Sequence, residues 1–325
     1  MDFKKPRVAL YYDVLPSTGM RNDGANLFMH YNLKKLLDGV DVYGTPGRIQ
    51  EDNGNVVTLS PLNPHHHFGT FDLNGLIDYG EDGLHIPLDW KIPSPNFYWM
   101  CDSHISEESY QYRKRRAKEF DTIFVSHKPT LKRLLEDGLY EDRVHYLPWA
   151  AEPMCYKPFP ILEKWDWCFI GHLSNEFRID LIDRFCKEFP VGIKGYLGWR
   201  QGEIRGYNVL EDCAKKFSQS RIIVNESIKD DMNMRTFEAL ACKRFLLTED
   251  IPVLHDHFTD GEHMVMFDGI DDAIEKAKFY LANDELRNKV AQAGYDEFLS
   301  KHTYMHRVKE ILKTCINYEP EGVLV

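Results

Sequence analysis

The chain has 325 residues, 43% of them hydrophobic and 28% charged, with a formal net charge of −11. That length suits two domains of roughly 150 residues each rather than one core, and no apolar run approaches the ~20 residues needed to cross a bilayer. An acidic surface disfavours nucleic acid and anionic membrane on average, although a local patch can override the mean. Seven cysteines at 101, 155, 168, 186, 213, 242 and 315 show no CxxC pair, so buried free thiols are expected rather than disulfides or structural zinc.

The N-terminal apolar stretch from Val8 to Tyr12 is too short for a signal-peptide core and reads as a first strand, so a cytoplasmic location is expected. Residues 24–37 carry apolar positions at helical spacing, with Asp23 as N-cap and Gly39 past the end. Val40–Tyr43 reads as a strand. Residues 44–95 hold many glycines and prolines and predict loops with short strands. His65, His66 and His67 fall there. Neighbouring side chains of an extended chain point to opposite faces, so this triplet makes a poor chelate and a solvated loop is favoured.

Regular patterning returns with strand 96–101, helix 107–118, strand 122–125, helix 129–135 and strand 144–147. The basic run Arg113-Lys114-Arg115-Arg116 lies in the first of these helices, where a solvated face is expected. Residues 148–164 carry four prolines and read as a linker. The alternation then restarts: strand 165–170, helix 175–189, strand 191–196, helix 209–217, strand 221–224, helix 232–242, strands 245–247 and 264–267, and three closing helices over 271–281, 284–299 and 304–315. Strands separated by helical patterns imply βαβ units and parallel sheets. The expected domains are 1–150, a linker 151–164, a second domain 165–302, and a C-terminal helix in 303–325 that packs back on the first domain. Two Rossmann-like doubly wound α/β domains place a cleft at the carboxyl ends of their strands.

The segment Asp230–Asp250, DDMNMRTFEALACKRFLLTED, carries the most chemistry. A helix starting near Met232 offers free backbone N–H groups and a positive dipole end, suited to a diphosphate. Arg235 and Glu238 are three apart and share a face. An arginine can grip phosphate oxygens with two bonds, and a carboxylate one turn deeper can accept both ribose hydroxyls; an exposed i,i+3 ion pair is the competing reading. Gly-rich dinucleotide and P-loop fingerprints are absent, as is an Asp-x-Asp metal pattern, so no cofactor and no metal are expected.

This segment resembles the donor-site helix of GT-B glycosyltransferases of glycosyl-transferase group 1, and most of all the family of the spore-maturation protein CgeB. Arg235, Phe237, Glu238, Ala239, Ala241 and Cys242 fit the family pattern, while Lys243 stands where the family usually has glycine. Asp166–Gly171 with Arg178, Tyr196–Trp199, His302-Thr303-Tyr304 with Arg307, Tyr98–His104 and Leu147–Ala150 are similar to further family segments in order and spacing, covering about residues 96–316. The resemblance implies a GT-B fold and a nucleotide-diphosphate sugar as donor. It implies that Glu238 holds the donor ribose and Arg235 the diphosphate. Gly171, His172 and Arg178 would face the diphosphate, Gly198 and Trp199 would lie near the base, and Asn233 and Thr236 would share the helix start. Asp230 matches the first of two acidic residues eight apart only as Asp for Glu.

Asp102 and His104 follow a predicted buried strand, where either can serve as the base for an acceptor hydroxyl; the alternative is that Asp102 caps the next helix or holds His104 by a hydrogen bond. The loop after the first strand offers Asp13, Thr18, Arg21, Asn22 and Asp23 as acceptor contacts. The expected activity is metal-independent transfer of a sugar, a hexose by preference, to an acceptor that the sequence does not name: a glycan, small molecule, protein or modified DNA base. A DNA-base-modifying transferase, a nucleotide-sugar epimerase and a non-catalytic GT-B scaffold share the architecture.

Overall fold

The computed structural model describes residues 5–12, 24–44, 48–50, 56–58, 60–61, 71–78, 92–173, 175–195 and 207–320. The chain divides into two compact units, residues 1–149 with 304–325 and residues 150–303.

Unit 1 is built on strands β1 (Arg7–Tyr12), β2 (Gly39–Gly44), β3 (Arg48–Gln50), β4 (Val56–Thr58), β5 (Ser60–Pro61), β6 (Leu73–Asp78), β7 (Asn96–Met100), β8 (Thr122–Val125) and β9 (Val144–Tyr146). Seven of them form a parallel sheet in the order β5-β2-β1-β6-β7-β8-β9, with β3 and β4 as a separate antiparallel pair. Helices α1 (Gly24–Leu36), α2 (Glu107–Ala117) and α3 (Lys128–Glu136) connect the strands. Every residue of β6 and β7 is buried, as expected of central parallel strands covered on both faces. Ser106 caps α2 by accepting from the Ser109 N–H at 3.1 Å, and the His127 ring caps α3 through the Thr130 N–H at 3.3 Å.

The basic run on α2 departs from expectation. Arg115 is exposed, but Arg113 and Arg116 are 1% and 0% exposed and belong to the interior. The reason is the carboxylate at the end of β6. Asp78 accepts from Arg113 Nη2 at 3.3 Å and from the Tyr98 hydroxyl, which gives a buried cation a buried counter-charge. Burial pushes the Asp78 carboxyl up, while Arg113, the Tyr98 hydroxyl and Arg116 pull it back.

Unit 2 carries β10 (Trp165–Ile170), β11 (Gly192–Gly195), β12 (Ser220–Asn225), β13 (Phe245–Glu249) and β14 (Val265–Phe267) in a parallel sheet of order β11-β10-β12-β13-β14. Its helices are α4 (Glu176–Glu188), α5 (Tyr207–Ser218), α6 (Met234–Ala241), α7 (Gly269–Ala282) and α8 (Asp284–Lys301). The core joins Trp167, Phe169, Ile222, Val224, Phe245 and Leu247 of the strands to Leu181, Ile182 and Phe185 of α4 and Ala273, Ile274 and Ala277 of α7. The chain returns to unit 1 as α9 (Tyr304–Ile316), which packs on α1, with the Tyr304 and Phe28 rings 5.1 Å apart.

The seven cysteines are free thiols, five of them buried. Among the described residues no helix is long and apolar enough to cross a membrane, and no group of three metal-capable side chains occurs. The triple histidine lies outside the described residues.

Candidate donor site at the strand ends of unit 2

The site is assembled from the ends of β10 and β12 and the start of α6. Helix α6 begins at Met234 rather than Met232, because Asn233 takes the extended N-cap conformation at φ −69° and ψ 168°. Its side chain makes no cap hydrogen bond; it donates instead to Asn225 Oδ1 at 3.2 Å and to the Glu226 carbonyl at 3.3 Å. The first turn of α6 therefore lacks a side-chain cap, a condition in which helix N–H groups can meet an anion.

Arg235, in that first turn, reaches back to the sheet. Its Nε donates to the Ile170 carbonyl at the end of β10 and its Nη1 to Asn225 Oδ1 at the end of β12, both at 2.7 Å. Its guanidinium carbon lies 4.6 Å from the centre of the Phe169 ring. Burial, then the neighbouring Arg178, lowers its pKa to about 10, so it stays cationic at neutral pH. A methyl group at Gly171 would overlap the Arg235 guanidinium, which is the reason for glycine at the end of β10.

Arg178 behaves differently. Its Nε and Nη2 donate to the Glu226 side chain and carbonyl, the latter at 2.9 Å, and its Nη1 donates to the His172 carbonyl at 2.7 Å. Arg178 and Glu226 side chains are each 4% exposed. Arg178 thus closes the loop after β10 through His172, and its charge is matched by Glu226. Asn175, the N-cap of α4, donates to the other Glu226 oxygen at 3.0 Å.

Asn225, fully buried, ties these parts together. Its amide nitrogen donates to Thr236 Oγ1 at 3.3 Å and Thr248 Oγ1 at 3.1 Å, and its oxygen accepts from Arg235 and Asn233. Thr236 is thus a structural tie between α6 and β12. Glu238, one turn deeper, accepts from the Tyr156 hydroxyl, and burial raises its pKa while Tyr156 and Arg235 lower it. Glu238 does not pair with Arg235 as an exposed i,i+3 bridge: Arg235 keeps the neutral acceptors above. Neither Asn225, Glu226 nor Tyr156 was expected from the sequence. The available signal was the pair Asn225-Glu226 directly after an apolar strand.

In unit 1, Asp102 follows β7 at φ 50°, a left-handed conformation that Asp tolerates better than most residues. The His104 ring stacks on His127, centroids 4.3 Å apart and 29° between planes, bringing together the ends of β7 and β8. Gly198 and Trp199, and Asp13, Thr18, Arg21, Asn22 and Asp23, lie outside the described residues.

Two units, each a parallel sheet between helices, with a glycine-lined strand end and an arginine-bearing helix start in the second, define an α/β protein of GT-B type. Residues 176–313 match the family described as glycosyl transferase-like. The spore protein CgeB of Bacillus subtilis is 38% identical over 72 residues, a stretch covering 22% of this chain and 21% of that protein. Similar solved structures include sucrose-phosphate synthase from Thermosynechococcus elongatus, with TM-score 0.66, 11% identity and coverage of 94% and 97% of the two chains. HepE of Anabaena in complex with UDP and glucose aligns with TM-score 0.67, 10% identity and coverage of 95% and 99%. A glycosyltransferase from Rickettsia africae aligns with TM-score 0.63, 10% identity and coverage of 96% and 98%.

Proposed function

We propose that this protein is a glycosyltransferase that moves a hexose from a nucleoside diphosphate donor to an acceptor hydroxyl without a metal ion. The observation that carries the reading is Arg235: a largely buried cation whose hydrogen bonds go to two neutral acceptors, Ile170 O and Asn225 Oδ1, at the start of a helix without a side-chain cap. Arg178 nearby is already matched by Glu226; Arg235 is not matched in that way, and a diphosphate would complete it. The glycosyl transferase-like match over residues 176–313 covers this helix.

In the reaction the anomeric carbon–oxygen bond to the diphosphate breaks and a bond to the acceptor oxygen forms. The electron pair leaves with the nucleoside diphosphate, whose growing negative charge Arg235 and the first amides of α6 stabilise. The acceptor proton goes to a base, and Asp102 and His104 at the end of β7 are the groups assigned to that role. Glu238 is assigned to the donor ribose, and His172, in the loop that Arg178 holds, to the donor side. UDP-glucose is the first donor to try, since the similar HepE was solved with UDP and glucose.

Calorimetric titration with UDP-, GDP-, ADP- and dTDP-sugars tests the reading. The wild type binds one of them, Arg235→Met weakens that binding at least ~10-fold, as expected for loss of a charge-assisted contact, and turnover persists in EDTA. Equal binding by Arg235→Met refutes the donor site. Loss of turnover in EDTA refutes metal independence.

A further inference from the structure

The ends of β7 and β8 in unit 1 place His104 and His127 face to face, ring centres 4.3 Å apart and 29° between planes. His127 is 5% exposed and fixed at the start of α3. Its Nδ1 accepts the Thr130 N–H at 3.3 Å and lies 2.8 Å from Thr130 Oγ1. A ring nitrogen that accepts an N–H carries no proton, so the proton of the neutral ring sits on Nε2. A second proton on Nδ1 would displace the cap of α3. His104 is half-buried and stands in a turn fastened to α2. The Ile105 N–H donates to the Asp102 carbonyl at 3.4 Å, and Ser109 Oγ of α2 donates to the same oxygen at 3.3 Å. The titratable and charged groups around the pair are Asp102 and Cys101 from the end of β7, Lys128 beside His127 on α3, and Arg113 of α2, which acts on Asp102 and Cys101 through space.

An imidazole that takes a proton gains a delocalised positive charge. The face of a neighbouring aromatic ring attracts such a charge when its centre lies within ~6 Å. A neutral imidazole can do this, whereas a second imidazolium would repel the first. The cap on α3 therefore matters twice: it fixes where the His127 ring stands and which form it takes. We propose that His127 is a positioning residue for His104, holding its ring in place and stabilising the imidazolium formed when His104 takes the acceptor proton. This inference rests on the base role given above to the end of β7. In that step the acceptor O–H proton moves to the free ring nitrogen of His104 and the acceptor oxygen bonds to the anomeric carbon. The electron pair of the broken bond leaves with the nucleoside diphosphate, and His104 then returns the proton to solvent.

The test uses substitutions that separate the stack from the cap. His127→Asn keeps an N-cap side chain and removes the ring, while His127→Phe keeps a ring face and removes the cap. The His104 imidazole is titrated by NMR in each, its signal assigned by its loss in His104→Gln. Urea midpoints and the pH profile of donor turnover are recorded alongside. In His127→Asn the His104 midpoint and the acid limb of kcat/KM both move down by roughly half a pH unit, the scale of an exposed cation–π contact. Its plateau kcat falls while the donor KM holds, and its urea midpoint stays near wild type. His127→Phe keeps the His104 midpoint and lowers the urea midpoint. If His127→Asn is too unstable to purify, His127→Ser carries the same comparison. A His104 midpoint that is unchanged in His127→Asn, or that moves equally in both variants, overturns the role of His127. His104→Gln that turns over donor at the wild-type rate overturns the use of the pair in transfer. A wild type that turns over none of the UDP-, GDP-, ADP- and dTDP-sugars overturns the proposed function, and the NMR titrations still decide the contact between the rings.

Discussion

Lys243 offers a sharp test of how the donor helix is terminated. It follows α6 at φ 53°, with its N–H on the Leu240 carbonyl at 2.9 Å and the Arg244 N–H on the Ala239 carbonyl at 3.2 Å. These two bonds form a Schellman closure, whose left-handed residue is usually glycine. A side chain there costs about 1–2 kcal/mol in the folded state. Glycine gives back part of that gain through the freer unfolded chain, about 0.4–1 kcal/mol. The Lys243 side chain is exposed and makes no ion pair among the described residues, so little else is lost. Lys243→Gly is therefore expected to stabilise unit 2 by about 0.5–1 kcal/mol, or roughly 1–4 °C in Tm for a unit of this size. Lys243→Ala, which keeps the backbone strain, should give no gain. Urea midpoints and calorimetric scans of the three proteins decide it. A glycine variant no more stable than the alanine one would refute the argument from backbone strain.

Gly171→Ala should push the Arg235 guanidinium off the β10 end and weaken nucleoside diphosphate binding about 10-fold, read by titration calorimetry. Arg113→Ala should destabilise unit 1 by about 3–5 kcal/mol in urea, because it takes from the buried Asp78 its ion-pair partner and leaves it the Tyr98 hydroxyl and the more distant Arg116. The joint replacement Asp78→Asn with Arg113→Met should cost less than Arg113→Ala alone. Glu238 supplies a pH signature. Its folded pKa is raised above the ordinary 4.5 by burial, so above that pH the unfolded state binds fewer protons than the folded one. Its contribution to stability therefore declines as pH rises from 4.5 toward the raised value. The urea stability of wild type relative to Glu238→Gln should fall over that window, and a flat difference would count against the raised pKa.

The parallel architecture was legible because β/α alternation leaves a strong local signal. Strands 122–125 and 165–170 were placed to the residue, since each is a short apolar run between helical patterns. Strand β6 was not resolved from its surroundings: Asn74, Gly75 and Asp78 interrupt its apolar pattern, and what makes it a strand is pairing with β1 and β7, far away in sequence. The basic run on α2 misled for a related reason. A local reading assigns charges to solvent, whereas Asp78, 35 residues upstream, makes burial of Arg113 tolerable. At the candidate site, Arg235 and Glu238 were visible because motif and helical spacing coincide. Asn225, Glu226 and Tyr156 were not, because each acts through partners that only the fold brings near.

The contrast between Arg178 and Arg235 follows from the same logic. Arg178 and Arg235 both lie near Phe169, with guanidinium carbons 5.6 and 4.6 Å from its ring centre. One is satisfied by a buried carboxylate and fixes the loop after β10; the other makes its hydrogen bonds to a carbonyl and an amide. Burial is the first cause of the lowered Arg235 pKa, and the neighbouring positive charge of Arg178 adds to it. Arg235 makes its hydrogen bonds to neutral acceptors at a helix start, with Glu238 as a neighbouring carboxyl that acts on it only through space, and on the proposed function a diphosphate would add direct charge-assisted bonds there. On the proposed function, binding should therefore raise the Tm of the wild type more than that of Arg235→Met at the same ligand concentration, because stabilisation follows RT ln(1 + [L]/Kd), and an equal rise in both would refute this reading of the charge.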